Sequence, residues 1–362
     1  MKSFLPFFLI VFIIYTVANV YLFIRGWQAL EIIGRQRVWF TLVFWIVAYS
    51  FFVTQLLHVK GASGVVYEAF FIIGSWWIAV MLYGFLILFA LDTLRVVGWA
   101  GNIKPDFIYH NYPMAKAIIF GMICFILSII LTVGYIQAHR PRVTHVQIAM
   151  DKRAGTLTQL RMVMVSDMHL GYIHGRISLA RIVDAINAQK PDLVLLAGDI
   201  FDNSAKPVIQ DNAGLEFERL QTKYGTFFVT GNHEYIGERE MQIEGAMKTT
   251  LTYLSTHGVT PLLDSFLPII MLDHQPYRFD EVEQAGVDFH LSGHTHYGQM
   301  WPLNYVTRRI FEKDWGYFQR GKSHFYVSCG VGTWGPPIRT AGYSEVVVAD
   351  IKFGSFAYIC AH

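Results

Sequence analysis

The sequence predicts two unlike halves, an all-α region of four transmembrane helices over residues 1–140 and a layered α/β domain over residues 141–362. Three observations carry this. The 362 residues are 53% hydrophobic and only 15% charged, with a mean hydropathy of +0.36, whereas an ordinary soluble domain is about 25% charged. Four apolar stretches, each about the 20 residues that a helix needs to cross a bilayer core, fill the first 140 positions. Beyond the basic run His139, Arg140, Pro141 and Arg142 the pattern changes to short strands alternating with amphipathic segments.

The spans read as Phe4–Ile24, Val38–Leu57, Val65–Leu91 and Met114–Tyr135. Between them lie polar or turn-rich breaks, the last with Gly98, Gly101 and Pro105. Tyr21, Trp27, Trp39, Trp99, Tyr112 and Tyr135 sit near span ends, as an interfacial aromatic belt requires. The first stretch is longer than the apolar region of a cleaved signal peptide, and three more spans follow it, so we read it as an uncleaved anchor. Four spans put both termini on one side, with Lys2, Lys60, Arg140 and Arg142 there and Arg25, Arg35, Arg37, Arg95, Lys104 and Lys116 opposite. That bias favours a multi-pass protein of the plasma membrane with its C-terminal domain outside, although Lys152 and Arg153 narrow the difference.

A formal net charge of +2 and the lack of basic runs interleaved with aromatics argue against nucleic acid as a partner. Cys124, Cys329 and Cys360 show no metal spacing and define no disulfide framework.

In the second half, Val143–Ala149 alternates with period two, and Leu160–Val165 and Asp192–Ala197 are short apolar runs suited to buried strands. Leu179, Ile182, Val183 and Ile186 recur at helical spacing within Ile177–Gln189. Further helices are expected over Leu215–Thr222, Arg239–His257 and Phe279–Ala285, and further strands over Thr226–Thr230, Pro268–Leu272, Val287–Leu291, Phe325–Ser328 and Glu345–Ile351. Repeated β-α order makes a layered α/β sheet.

Functional groups in such sheets gather beyond the carboxyl ends of strands. Five strand ends here carry metal-type ligands: Asp167 and His169, then Asp199 with Asp202, then Asn232 with His233, then His274, and finally His294 with His296. Any one cluster is as well explained by ordinary polar residues at a strand end. Jointly they would repel or desolvate one another unless cations lay among them. The donors are nitrogen and oxygen without thiolate, which suits Mn, Fe, Zn or Co. Seven ligands, Asp167, His169, Asp199, Asn232, His274, His294 and His296, exceed what one ion with an open position needs and suffice for two divalent metal ions sharing a carboxylate.

The ordered set Asp-x-His, Gly-Asp-x-x-Asp, Gly-Asn-His-Glu, a lone His and Gly-His-x-His resembles the calcineurin-like metallophosphoesterase superfamily over residues 143–355. Ser166–Gly171, with Gly330–Thr333 and Pro337–Arg339, is most similar to its bacterial membrane-associated YkuE/YaeI-type phosphodiesterase branch, some relatives of which hydrolyse UDP-2,3-diacylglucosamine. The resemblance implies an α/β/β/α sandwich. It also implies that Asp167, His169 and His296 hold one metal, Asn232, His274 and His294 the other, with Asp199 bridging and manganese favoured. His233 would then be the general acid or charge stabiliser, oriented by Asp202, for in-line attack on phosphorus by water activated between the ions.

The expected function is a membrane-anchored metal-dependent phosphoesterase acting on a phosphodiester, pyrophosphate or phosphomonoester. Its substrate would be a membrane lipid or lipid-linked nucleotide, a role in lipid metabolism. The alternative is an inactive membrane-bound binding or sensor protein with a structural metal centre. Glu234 reads as a structural carboxylate, while His174, Arg176 and Arg339 read equally as phosphate contacts or as loop residues. Between Gly258 and His274 the chain is shorter than the branch resemblance implies, which would leave one wall of the cleft open.

Overall fold

The computed structural model describes residues 5–58, 64–102, 110–152, 154–202, 204–239, 245–262 and 270–354. They form two compact units, Met1–Val133 and Gly134–His362.

The first unit is helical. Helices α1 (Leu5–Ala29), α2 (Arg37–His58), α3 (Val65–Ala100) and α4 (Tyr112–Ala138) match the four predicted spans, and the last turns of α4 fall in the second unit. By length and composition three stretches are able to cross a membrane, Leu9–Leu57, Val65–Ala100 and Tyr112–Ala138. The first of these runs through a 3-10 segment, Leu30–Gln36, that is kinked at Gly34 (φ 57°, ψ −130°) and separates α1 from α2. At 1.5 Å per residue, α1 and α2 measure ~37 Å and ~33 Å, each enough for a hydrocarbon core of ~30 Å. Helix α3 outruns its predicted end at Leu91 because polar residues in its extra turns are partnered: Asp92 pairs with Arg25 at 2.5 Å and accepts from the Tyr21 hydroxyl at 2.5 Å. Buried Asn19 is satisfied in the same way, donating to Tyr15 O at 2.8 Å and accepting from Trp77 Nε1 at 2.8 Å.

The second unit is an α/β/β/α sandwich. One sheet holds β1 (Arg142–Met150), β2 (Gln159–Val165), β3 (Leu193–Ala197), β4 (Thr226–Val229), β5 (Val259–Pro261) and β10 (Glu345–Phe353), in the order β1-β10-β2-β3-β4-β5. Only the β10–β2 pairing in it is antiparallel. The other holds β6 (Ile270–Leu272), β7 (Phe289–Ser292), β8 (Gly316–Arg320) and β9 (Ser323–Val327), in the order β6-β7-β9-β8. Strand β2 shows why the sheets stack. Its side chains alternate between faces, and both faces are apolar. Met162 and Met164 join Leu195, Leu291, Tyr326 and Val347 between the sheets, while Val163 and Val165 join Val194, Leu196 and Val348 on the outer face.

Helix α5 (Arg176–Asn187) covers that outer face with buried Leu179, Ile182, Val183 and Ile186, each stabilising by about 1.5–3 kcal/mol. Phe279 and Val282, on the short helix Phe279–Gln284, cover the second sheet against Phe325 and Val327.

Some expected elements differ. Only Gly214–Phe217 is α-helical where Leu215–Thr222 was expected, because the Asn187 side chain donates to Arg219 O and accepts from Gln221 N, replacing helical partners. The expected helix Arg239–His257 is instead Asn232–Arg239 and Ala246–Thr256, the second opened by Gly245 at φ 73°. Strand β8, the helix Asn304–Ile310 and β5 have no apolar run long enough to announce them. Of the shortened stretch between Gly258 and His274, residues 263–269, with Pro268, lie outside the described residues.

Candidate metal centre

Strands β2, β3, β4, β6 and β7 deliver the expected clusters to one place, with β5 intervening in the chain and contributing none. His169 Nε2 lies 3.0 Å from His296 Nε2, which is 3.4 Å from Asp167 Oδ1. Asp199 Oδ2 lies 3.1 Å from His274 Nε2 and 3.8 Å from His169 Nε2. His274 Nε2 is also 3.2 Å from His294 Nδ1 and 3.1 Å from Asn232 Oδ1. Three overlapping groups result, Asp167–His169–His296, His169–Asp199–His233 and Asp199–His274–His294. All seven expected ligands are thus brought together, and Asp199, within the third group, also approaches His169 of the first.

The backbone is forced into this arrangement. Asp167, His169, Asp199, His294 and His296 all have φ between 46° and 73°, a left-handed region that non-glycine residues enter at a cost of order 1–3 kcal/mol each. Such strain persists where surroundings over-determine it. Asp167 N donates to Gly198 O at 3.0 Å, His169 N to Asp199 O at 3.0 Å, and His294 N to both Asp167 carboxylate oxygens at 3.1 Å. Two glycines admit the carboxylates: a Cβ on Gly231 would lie 2.1 Å from Asp199 Oδ1, and one on Gly293 would lie 2.4 Å from Asp167 Oδ2.

The electrostatics suit cations. Burial, then neighbouring histidine or arginine charge, pushes His169 and His296 well down, which favours the neutral imidazole that a metal ion needs. His294 moves down too, by burial first and His274 second. Burial pushes Asp167 up. Burial opposes ionisation of Asp199 and His274, but their hydrogen bond prevails, holding Asp199 low and lifting His274 to about 10. His274 Nδ1 faces Ala197 O at 2.8 Å, which aims Nε2 at the centre. Imidazole nitrogens converging at 3.0 and 3.2 Å beside two buried carboxylates form a donor set that divalent metal ions fit.

His233 stands apart from the outer groups. Its backbone N donates to Asp199 Oδ1 at 2.9 Å, and its ring Nδ1 lies 3.4 Å from Asp202 Oδ1. Burial pulls its basicity down, yet Asp202 and Asp199 outweigh that and raise it. The ring meets His169 edge-on at 4.6 Å between centroids and Trp334 at 5.8 Å. Trp334, 56% exposed, was not anticipated from sequence and forms a wall beside His233.

Glu234 is structural, as its neighbours suggested. Its carboxylate accepts from the backbone N of Asp199, Ile200, Phe201 and Gly231 at 2.6–3.1 Å, bracing the loop that presents Asp199. His174 is buried and bonded to Thr333 Oγ1 at 2.7 Å, and Arg176 pairs with Glu216 at 2.7 Å, so both are engaged within the fold. Arg339 is fully buried rather than solvated. It donates to Gly332 O at 2.6 Å and to His296 O at 3.2 Å, with Nη2 3.2 Å from His296 Nδ1.

Residues 160–298 match the family model described as calcineurin-like phosphoesterase. An uncharacterized metallophosphoesterase of Campylobacter jejuni is 26% identical over 387 aligned positions, covering 96% of this chain and 99% of that one. One from Helicobacter pylori strain J99 is 29% identical over 237 positions, 57% of this chain and 63% of its own length. A zebrafish (Danio rerio) transmembrane protein with metallophosphoesterase domain is 29% identical over 269 positions, 63% of this chain and 61% of its own. The chain therefore spans less than two thirds of the length of these last two relatives. Residues 160–298 of the second unit thus carry a calcineurin-like metallophosphoesterase domain.

Proposed function

We propose that this chain is a membrane-anchored phosphoesterase whose activity depends on two divalent metal ions. The observation that carries this reading is the pair of outer ligand groups, Asp167–His169–His296 and Asp199–His274–His294, each with two buried members and a half-buried histidine and joined through Asp199. Asn232 completes the second group. When bound, the ions neutralise phosphate oxygens and lower the pKa of water. The chain's own residues do the rest. His233, whose basicity Asp202 and Asp199 raise against its burial, donates a proton to the departing oxygen, and Asp202 orients its ring. Trp334 offers an apolar face beside His233 for the substrate.

We assign the membrane anchor to residues 1–140 and the phosphoesterase domain to 141–362. The substrate we favour is a phosphodiester or pyrophosphate linked to lipid, of the UDP-2,3-diacylglucosamine kind, with manganese as the native metal. What supports this is the short linker, since helix α4 ends at Ala138 and β1 begins at Arg142. Residence in the plasma membrane with the domain outside rests on the distribution of basic residues between the loops.

The test uses the full chain, purified in detergent, stripped with chelator and reloaded with Mn, Fe, Zn or Co. Hydrolysis of bis-p-nitrophenyl phosphate that appears with metal and disappears on chelation is expected. No hydrolysis of this diester or of p-nitrophenyl phosphate with any metal would favour the inactive sensor.

A further inference from the structure

Within the first unit, residues of all four helices line a half-open cavity of about 1220 Å³. Its volume exceeds the ~300–1,000 Å³ of ordinary small-molecule sites, which leaves room for a lipid. Its deep walls are apolar, with Leu22 of α1, Val47 of α2, Trp77 of α3 and Ile123 and Leu127 of α4 among them. Water gains little there, and hydrocarbon gains much.

The other end of the cavity is charged. Arg25 near the end of α1, Asp92 and Arg95 toward the end of α3, and Lys116 in the first turns of α4 line it together. With Glu31, which pairs with Lys116, three cations meet two carboxylates and leave one net positive charge at the rim. Asp92 is consumed by Arg25 at 2.5 Å. Lys116 reaches the partly exposed Glu31 at 2.5 Å. Arg95 has no carboxylate in ion-pair range among the described residues and lies 5.9 Å from the centroid of the Tyr112 ring, whose other approach is Lys116 Nζ at 4.8 Å. Trp99 and Tyr112, at the same level of the cavity wall, are the residue types that settle at a bilayer interface. Basic pockets between transmembrane helices are suited to anionic head groups.

We propose that this cavity is a binding site for one anionic membrane phospholipid, its acyl chains between α4 and the other three helices and its phosphate between Arg95 and Lys116. No residue of the site belongs to the metal centre, so it stands independently of the catalytic reading.

The test is lipid titration of delipidated full-length protein by native mass spectrometry, comparing phosphatidylglycerol with phosphatidylcholine of identical chains. One phosphatidylglycerol should bind in preference. Removing two head-group cations in Arg95→Gln with Lys116→Gln should weaken that binding about 30-fold, leaving phosphatidylcholine binding little changed. Arg95→Lys should keep most of the preference, which guards against a misfolded double variant. Ile123→Trp, filling the apolar part, should reduce binding of both lipids. Equal binding of the two lipids by the wild type, an unchanged preference in the double variant, or equal occupancy by glycerol phosphate without chains would each overturn the proposal.

Discussion

The guanidinium of Arg339, fully buried, donates to the backbone carbonyl of His296 at 3.2 Å and holds Nη2 3.2 Å from Nδ1 of the same residue's imidazole. A third contact ties it to Gly332 O at 2.6 Å. Arg339 thereby packs against the ring of His296 as the carbonyl of Ala197 does against that of His274. Arg339→Met should leave two carbonyls unsatisfied and free the ring. Partners of this kind are worth ~10–100-fold in metal affinity, so metal titration of the variant by calorimetry should show one weakened site of two. Two unchanged sites would show that His296 needs no such support.

Asp199 and His233 separate holding metal from using it. His233→Ala should lower turnover by about 10²–10⁴-fold while bound metal stays near the wild-type ratio. Asp199→Asn removes the carboxylate that both outer groups approach, so metal content and turnover should fall together. Elemental analysis and diester hydrolysis on the same samples check both, and wild-type turnover in Asp199→Asn would refute the shared-carboxylate arrangement.

Much of this centre was legible in the sequence because each ligand follows a short, largely apolar strand. Runs such as Leu193–Ala197 announce themselves by apolarity, and the polar residue just beyond is placed by the topology. Span positions were legible for the same reason. Less visible were features set by partners distant in sequence. Nothing local marks Arg339 as buried, since its acceptors belong to residues 296 and 332. Strand β8 shows no apolar run because it is an edge strand, paired only with β9. Helix α3 continues past Leu91 because Asp92 finds Arg25, 67 positions earlier.

Glu234 makes a stability prediction. Four buried N–H groups lose their acceptor in Glu234→Ala, and a buried unsatisfied donor costs about 1–3 kcal/mol. The variant should melt well below wild type and lose Asp199 placement, hence metal. Glu234→Gln keeps one acceptor oxygen and should fall between. Thermal unfolding monitored by circular dichroism distinguishes them, and equal midpoints for all three proteins would rule out the bracing role.

Acid should destabilise the second unit through histidines that bind no metal. His290 is fully buried, with Phe279 and Phe325 rings each 5.8 Å away and neither ring nitrogen bonded, and burial pushes it down to about 4. His174, burdened by burial and then by the charge of His139, is pushed down to about 3. In the unfolded chain both titrate near ~6.5. The native state holds them neutral, so between these values the unfolded state binds more protons, and stability falls as pH falls. Their contribution is complete above pH ~6.5 and is lost progressively toward pH 4 for His290 and pH 3 for His174, with a slope of about 1.4 kcal/mol per pH unit for each proton. Metal release would add its own acid dependence, so the measurement belongs on chelated protein. Denaturant midpoints between pH 7.5 and 4.5 should decline for wild type and decline less for His290→Met, which fills the same apolar space and has nothing to protonate. Parallel curves for the two would mean that His290 opens to solvent before the domain unfolds.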